Sequence, residues 1–269
     1  MICPGVHAPH CSPPHYFKRS ECWEGGETAV RGGSGPVGVE FAKTKDTLFE
    51  AMADAARALG YPMTDDYNDD AVGFGRAQFS IRNGHRSSAA TAYLRTVMNR
   101  PNLTVLTNAL AHRVLLDGTK AYGVEYSRDG GTVLADAAKE VILCGGAFNS
   151  PHLLMLSGIG PADHLHEFGI KPIVDLPVGD NLQDHLKVEL LWKRLARGPF
   201  HGEMRLDRAG LSMLQAYLFR RGPATVLPFG IHAFFKTRPD LTVPDIEFMC
   251  RAAPLTAGPW FSGHSRAVR

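Results

Sequence analysis

The residues of this sequence best suited to chemistry form a run of small and polar types, "GAFNSPHLLMLSGIG", from Gly146 to Gly160. The run follows an apolar stretch, "EVILCG", that is typical of a buried strand, and it continues into a short apolar helix. There Gly145 and Gly146 allow close backbone approach, Ser150 caps the helix and Pro151 takes its first position. A helix N-terminus has unpaired N–H groups and a partial positive charge, which suit a diphosphate. A strand-to-helix connection without a ligand fits the local pattern equally well.

Two other groups contain the residue types of reactive sites, but their sequence context does not favour a reactive site. Asp184 and His185 in "NLQDH" pair an acid with a base, and we interpret them as structural hydrogen-bonding residues rather than catalytic ones. The N-terminal "CPGVHAPHC" places two cysteines and two histidines at spacings that zinc accepts. Its prolines favour a disordered terminus, so we predict no metal site.

Helices and strands alternate along the chain and must position these residues. The stretch "TKDTLFEAMADAARALG" predicts a helix capped by Asp46 and ended by Gly60. The turn "NGHRSS" precedes a second predicted helix, "AATAYLRTVM". Five short strands are predicted between residues 103 and 146, with hairpin turns at "DGTK" and "RDGG", and the last of them, "EVILCGG", enters a parallel sheet. This order predicts an α/β or α+β fold.

Composition excludes several classes of function. The 269 residues carry a net charge of +2, which gives no electrostatic bias towards nucleic acid or anionic membranes. No apolar run approaches the roughly 20 residues of a membrane-spanning helix, and the N-terminus lacks the features of a signal peptide. The five cysteines are scattered and odd in number, which is typical of free thiols in a reducing compartment. We therefore expect a cytoplasmic protein without a nucleic-acid partner.

The same fifteen residues resemble the second signature of the glucose–methanol–choline (GMC) oxidoreductases, flavoenzymes that oxidise alcohols. Ten positions of that signature are specified, and this chain fills them without a departure. They are Gly146, Ala147, Ser150, Pro151, Leu153, Leu154, Ser157, Gly158, Ile159 and Gly160. Further segments resemble the family in family order: "PHYFKRSECWEGG", "IRNGHRSSAATAYL", "RPNLTVLTNALAHRVLLDGTKAYGVEY" and "LPVGDNLQDHL". The resemblance covers roughly residues 13 to 255 and is nearest in character to the choline dehydrogenase-like branch.

The resemblance implies a partial FAD-binding α/β domain over residues 1–190 and the beginning of an antiparallel-sheet substrate domain over residues 191–269. In the family, a valine in the strand after the "PNLTV" segment contacts the adenine of FAD through its backbone, and by position that residue is Val114. The strand end and turn would lie along the ADP half of FAD, with Ser150 completing the predicted cofactor-binding set. The strand-end and turn residues are Cys144, Gly145, Gly146 and Ala147.

The chemistry implied by the resemblance is oxidation of a CH–OH group of a small alcohol. A histidine base takes the alcohol proton while the carbon-bound hydride passes to the flavin. That histidine is expected beyond Arg269, so no catalytic residue is predicted within the chain. Reduced flavin would pass electrons to oxygen or to a quinone-type acceptor, and the second kind would associate the protein with a membrane. The identities of the alcohol and of the acceptor stay open.

The dinucleotide fingerprint Gly-x-Gly-x-x-Gly of the family has no convincing counterpart here. The stretch "RGGSGPVG" (31–38) contains the glycines but is predicted to follow no strand and to open no helix, so we reject it as a phosphate-binding turn. We therefore expect an internal part of a longer enzyme, inactive alone. One alternative is a truncated member that acts as a non-catalytic binding or interaction module. Another is a nicotinamide-dependent enzyme of similar layout, which the flavin-family signature disfavours.

Overall fold

A computed structural model describes residues 14–69, 72–195, 198–203, 206–225 and 228–252. The "CPGVHAPHC" motif lies outside these ranges. Up to residue 100 the elements are α1 (Pro14–Ser20), β1 (Glu21–Trp23), β2 (Val37–Phe41), α2 (Thr47–Ala58), β3 (Gly73–Arg76), β4 (Gln78–Phe79), β5 (Ile81–Arg82), β6 (His85–Arg86), a π-helical turn (Ala90–Leu94) and α3 (Arg95–Val97). From 101 to 191 they are β7 (Leu110–Asp117), β8 (Lys120–Arg128), β9 (Gly131–Asp136), α4 (Gly146–Leu156), β10 (Ile159–Gly160), α5 (Ala162–Glu167) and β11 (Val174–Asp175). The remainder are α6 (Pro199–Glu203), α7 (Leu206–Phe219), a 3-10 turn (Pro223–Thr225), β12 (Phe229–Phe235) and β13 (Ile246–Arg251).

The chain divides into two compact units. The first unit combines residues 1–100 with residues 192–269, and the second unit is residues 101–191. The mixture of helices with small sheets is the predicted α/β class of fold. The assignment of residues 1–190 to cofactor binding and of residues 191–269 to substrate binding concerns function as well as packing, and it stays a prediction.

The core of the first unit lies between α2 and an antiparallel sheet of strand order β13-β12-β3. Its buried members are Phe49, Ala56, Phe74, Ile231, Ala233, Cys250 and Ala252. The prediction for α2 is confirmed, because Asp46 caps the helix by accepting the N–H of Leu48 at 3.0 Å. Asp46 is itself held by Arg194, whose Nη1 lies 2.8 Å from a carboxylate oxygen. Asp46 therefore both caps α2 and forms an ion pair with a residue 148 positions away in the chain.

The glycine-rich stretch at residues 31–38 joins two parallel strands, β1 and β2, and opens no helix. The prediction that it opens no helix is confirmed, whereas the prediction that it follows no strand is wrong, because β1 precedes it. Its rejection as a phosphate-binding turn stays a prediction. Its glycines serve close packing: a Cβ on Gly32 would overlap the carbonyl oxygen of Lys18, and one on Gly35 would overlap the backbone of Ser20. Backbone atoms of the protein therefore fill the space beside these two glycines.

Arg31 lies at the centre of a buried polar cluster beside this turn. Its guanidinium bonds to Glu21 at 2.6 Å and to Asp66 at 2.7 Å, and it stacks 4.1 Å from the ring centroid of Trp23. The Arg31 side chain is 4% exposed, so both carboxylates depend on it for compensation of their charge. Burial raises the pKa of Asp66, but hydrogen bonds from Gln78 and Arg31 outweigh it and hold that pKa below its ordinary value.

The second unit contains a three-stranded antiparallel sheet of strand order β7-β8-β9. The strands predicted over residues 111–118, 121–127 and 132–138 are confirmed, with hairpin turns at the two predicted sites. The strand predicted at residues 103–108 is absent, and that segment is irregular. Beyond the sheet, α4 leads into the parallel pair β10–β11, and α5 buries Leu165 against this pair.

The predicted buried strand "EVILC" is wrong. Residues 140–144 have no regular structure, Ile142 is 72% exposed and Cys144 is exposed. A strand of a parallel sheet needs neighbours to satisfy its backbone and cover its faces. No strand in the described part of the chain pairs with these residues, so Ile142 is exposed and Val141 and Leu143 are only half-buried.

Candidate cofactor-binding site

The first residues of the signature form the N-terminal turn of α4. The helix begins at Gly146, its N-cap is Gly145 with no side-chain cap, and its first turn has no acidic residue. The first amides of a helix have no intrahelical acceptor, and they carry the positive end of its dipole. Because Gly146 and Ala147 are exposed, their amides are open to an anionic ligand.

Gly146 has a backbone conformation that favours glycine. Its φ is +84°, in the left-handed region that glycine adopts without strain, and a Cβ at this position would meet no atom within 4 Å. The space beside its backbone is therefore free of protein and available to a ligand.

Two local details differ from the sequence-based picture. Pro151 lies inside α4 rather than at its first position, because the helix starts five residues earlier. Ser150 Oγ accepts the N–H of Gly145 at 3.0 Å from inside the first turn, and so does not occupy the N-cap. This bond ties the turn to the helix and removes the amide of Gly145 from the donors left for a ligand.

The other end of α4 is fastened to β7 at Val114. Ser157, the residue after the last turn, is buried and accepts the N–H of Val114 at 2.8 Å. The same hydroxyl donates to the carbonyl of Leu153 at 2.5 Å. One buried hydroxyl therefore joins the signature helix to the strand predicted to contact adenine.

The backbone carbonyl of Val114 is the candidate contact for a ligand at this strand. β7 is an edge strand of its sheet, and the N–H of Val114 points away from β8 towards Ser157. In an antiparallel pair a residue exchanges both backbone bonds with its partner strand or neither, so the carbonyl of Val114 also points away from β8, at a position where the residue is 6% exposed. A carbonyl accepts a hydrogen bond, which suits an amino group such as the exocyclic amine of adenine.

The structure groups the predicted residues at two ends of one helix. Gly145, Gly146, Ala147 and Ser150 lie at the N-terminal end of α4, with Cys144 just before it. Val114 lies at the C-terminal end, and the 11 residues between the ends span about 16 Å at about 1.5 Å per residue. A compact anion would contact one end only. An extended dinucleotide lying along the helix would reach both.

Sequence reasoning identified Ser157 as a signature residue but assigned it no contact. Its partner Val114 is 43 residues away, so no local pattern links the two. The acid–base pair in "NLQDH" shows no catalytic setting: residues 181–185 are exposed, and their hydrogen bonds join near neighbours, such as the amide of His185 to Asp184 at 2.8 Å.

The described residues contain neither a metal-ligand cluster nor a membrane-spanning helix. Within those ranges no three metal-ligating side chains of His, Cys, Asp or Glu come together. Nor does any helix there combine the length and the apolar character needed to cross a bilayer.

The fold and the signature helix define a class of protein, and the comparisons with known sequences identify it. The family model described as GMC oxidoreductase matches residues 12–187. The chain therefore belongs to the GMC oxidoreductase family, whose members are FAD-dependent oxidoreductases.

Among curated relatives, the chain is similar to two choline dehydrogenases. It is 41% identical over 244 residues to the mitochondrial choline dehydrogenase of Mus musculus, covering 89% of this chain and 40% of the relative. It is 39% identical over 235 residues to the oxygen-dependent choline dehydrogenase of Brucella suis biovar 1, covering 87% of this chain and 43% of the relative. The chain thus spans about two fifths of the length of these relatives.

Solved structures of oxidases have the same fold. Pyridoxine 4-oxidase from Mesorbium loti matches with a TM-score of 0.57 at 33% identity, over 61% of this chain and 32% of that one. An FAD-dependent oxidoreductase from Chaetomium thermophilum matches with a TM-score of 0.67 at 26% identity, over 82% of this chain and 42% of that one.

Proposed function

We propose that this chain contributes the ADP-binding part of an FAD-dependent oxidoreductase that acts on the CH–OH group of an alcohol. The observation that carries the proposal is the complete signature on α4, with an exposed N-terminus and with Ser157 fixing the far end to Val114. Family membership and the choline dehydrogenase relatives support the reaction class.

In this proposal the ADP half of FAD lies along α4. The diphosphate binds the amides of Gly146 and Ala147, where the helix dipole favours negative charge. The adenine lies near the edge of β7, with its amino group donating to the carbonyl of Val114. Cys144 and Gly145 border the diphosphate, and Ser150 keeps the turn in place.

Bound FAD would supply the hydride acceptor for alcohol oxidation, and the residues described here would supply binding. The catalytic base is not among them, so we predict that the 269-residue chain alone oxidises no alcohol. Choline is the first substrate to assay because both curated relatives named above are choline dehydrogenases. Oxygen and a quinone-type acceptor should be tried in parallel.

The first experiment separates the two halves of the cofactor. FAD, ADP and riboflavin are titrated into the chain and followed by calorimetry. Contacts to the ADP half alone predict that ADP and FAD bind with similar, weak affinity, with a Kd of about a micromolar or above, and that riboflavin does not bind. Riboflavin binding as tightly as FAD, or no binding of ADP at millimolar concentration, would contradict the assignment.

The second experiment places the diphosphate. Gly146→Leu puts a branched side chain into the space proposed for the ligand, and we expect ADP affinity to fall at least about tenfold, equivalent to about 1.4 kcal/mol. Gly169→Leu is the matched control, since Gly169 also has a positive φ of 69° and no atom near a built Cβ. Equal affinity in the two variants would show that the diphosphate lies elsewhere.

A further inference from the structure

The first unit contains a cavity of about 500 Å³ that the proposed cofactor site does not use. It lies among the end of β2 and the segment after it, the strands β4 and β5, the helix α6, and the C-terminal end of α7 with the following 3-10 turn. Cavities of roughly 300–1,000 Å³ are the usual size of small-molecule sites. We call this space the β2–α7 cavity.

Hydrogen bonds and close packing hold the walls of the β2–α7 cavity. The Asn83–Gly84 turn packs directly on α7, where a Cβ on Gly84 would overlap the carbonyl of Arg220. Glu40 accepts the amide N–H of Asn83 at 3.0 Å and pairs with Lys43. Thr225 donates its hydroxyl to the carbonyl of Gly222 at 2.8 Å. The cavity is therefore formed before any ligand arrives.

Its floor is aromatic. Phe41, Phe79 and Phe200 line the cavity and are each only half-buried. Two of the rings are fixed from behind, since Phe41 packs edge-on against Trp23 at 4.5 Å and Phe79 lies 6.0 Å from Phe229. These rings offer an apolar surface to a ligand.

Its rim is cationic. Four cationic and two anionic side chains line the cavity, and Glu40 already pairs with Lys43. The remaining cations are Lys45, Arg220 and Arg221, and none of them forms an ion pair with a carboxylate of the described residues. The guanidinium of Arg221 lies 5.6 Å from the ring centroid of Phe219. Glu203 is the one further anion on the wall in that part of the chain. The net charge of the lining is positive, so it attracts anions and repels a quaternary ammonium group.

We propose that the β2–α7 cavity binds a small organic anion with a flat apolar body, of the arylalkyl carboxylate class. The ring would stack on the phenylalanine floor, and the carboxylate would meet the guanidinium and ammonium groups of the rim. This ligand is distinct from FAD and from the alcohol, and its binding does not depend on the proposed function.

The test compares three ligands that share one body. Phenylacetate, its neutral amide phenylacetamide and the cation benzyltrimethylammonium are titrated at low ionic strength and followed by NMR shifts of the protein. We expect phenylacetate to bind with a roughly millimolar or lower Kd, given its size. The amide should bind at least about fivefold more weakly, and the cation should show no saturable shift. Equal affinities for the three, or tighter binding of the cation, would overturn the proposal.

A variant then locates the carboxylate. Lys45→Gln with Arg221→Gln should weaken phenylacetate at least about fivefold and leave phenylacetamide unchanged. The matched control is Arg86→Gln with Lys120→Gln, which removes two exposed cations that do not line the cavity. Thermal unfolding confirms that each variant is folded. If the control weakens phenylacetate as much as the rim variant does, the attraction is a general charge effect and the site assignment fails.

Discussion

Two turns in this chain contain adjacent glycines and have opposite surroundings. The first glycine turn, residues 31–38, joins β1 to β2, and its glycines touch protein backbone so closely that a Cβ on Gly32 would overlap a carbonyl oxygen. The signature turn, residues 145–150, begins α4, and Gly146 has no atom within 4 Å of a built Cβ. One turn is filled by the protein, and the other is open.

The difference shows why a glycine pattern alone does not identify a phosphate-binding turn. The first glycine turn contains the literal Gly-x-Gly-x-x-Gly spacing from Gly33 to Gly38, but it leads into a strand and lies beside the buried Arg31 cluster. The signature turn lacks that spacing but presents unpaired amides at a helix N-terminus. Its unpaired, accessible donors make the signature turn the candidate for ligand binding, and the first glycine turn lacks a helix N-terminus.

The largest effect is expected at Arg31, which closes the first glycine turn. Arg31→Gln leaves Glu21 and Asp66 buried without their cation, and we expect the free energy of unfolding to fall by about 3–5 kcal/mol. Urea unfolding followed by tryptophan fluorescence measures it. Arg57→Gln is the control, because Arg57 forms an exposed ion pair with Asp54 and should change stability by about 0.5 kcal/mol or less. A loss below about 1 kcal/mol for Arg31→Gln would mean that the cluster does not hold the turn.

The next effect tests the closeness of packing in the same turn. Gly32→Ala forces a Cβ onto the backbone of Lys18, which cannot move aside as a side chain would, and we expect a loss of about 3 kcal/mol. In Gly33→Ala the nearest atom is 3.1 Å away, on the side chain of Glu27, so the loss should be clearly smaller. Similar unfolding midpoints for the two variants would show that the close approach of Gly32 to the backbone of Lys18 does not limit stability.

The elements predicted correctly from the sequence are those set by residues close together in the chain. The helix α2, with its cap at Asp46, and the strands β7 to β9 with their tight turns follow from local periodicity and turn residues. The Arg31 cluster was not predicted, because Glu21, Asp66 and Gln78 lie 10, 35 and 47 residues from Arg31. The strand "EVILC" was predicted wrongly for a related reason: its apolar pattern is local, but a strand forms only beside another strand.

The buried residues beside the first glycine turn extend to His232. This histidine makes the stability of the first unit sensitive to acid. His232 lies 5.8 Å from the ring of Tyr67, and its Nε2 has no partner among the described residues. Burial lowers the pKa of His232 to about 4, below its ordinary value near 6.5. The folded state therefore binds fewer protons than the unfolded state between these values, so stability is full above about pH 6.5 and is lost as the pH falls towards 4.

At pH 5 this loss amounts to about 2 kcal/mol relative to pH 7.5. His232→Phe, among the rings of Phe79 and Phe229, removes the proton site and should remove about that much of the pH dependence. Urea unfolding of both proteins at the two pH values measures it. The nearest carboxylate, Glu247, lies 3.9 Å from Nδ1. If it compensates the charge of His232, the two proteins will lose equal stability on acidification and the prediction fails.

The smallest effect is expected at the open turn's helix, where a single hydroxyl joins α4 to β7. Ser157→Ala leaves the buried N–H of Val114 without an acceptor, which should cost about 1–2 kcal/mol of unfolding free energy. Hydrogen exchange of the Val114 amide should quicken by at least about tenfold.

Ser150→Ala is the matched control on the same helix. Ser150 Oγ accepts the N–H of Gly145, and because Gly145 is exposed, water replaces this bond. The loss of unfolding free energy in the control should be about 0.5 kcal/mol or less. The two serines lie at opposite ends of α4. Comparing the two variants therefore shows at which end of the helix a side-chain hydrogen bond contributes to stability. Unchanged exchange at Val114 in Ser157→Ala would show that the helix and the strand are held together by packing alone.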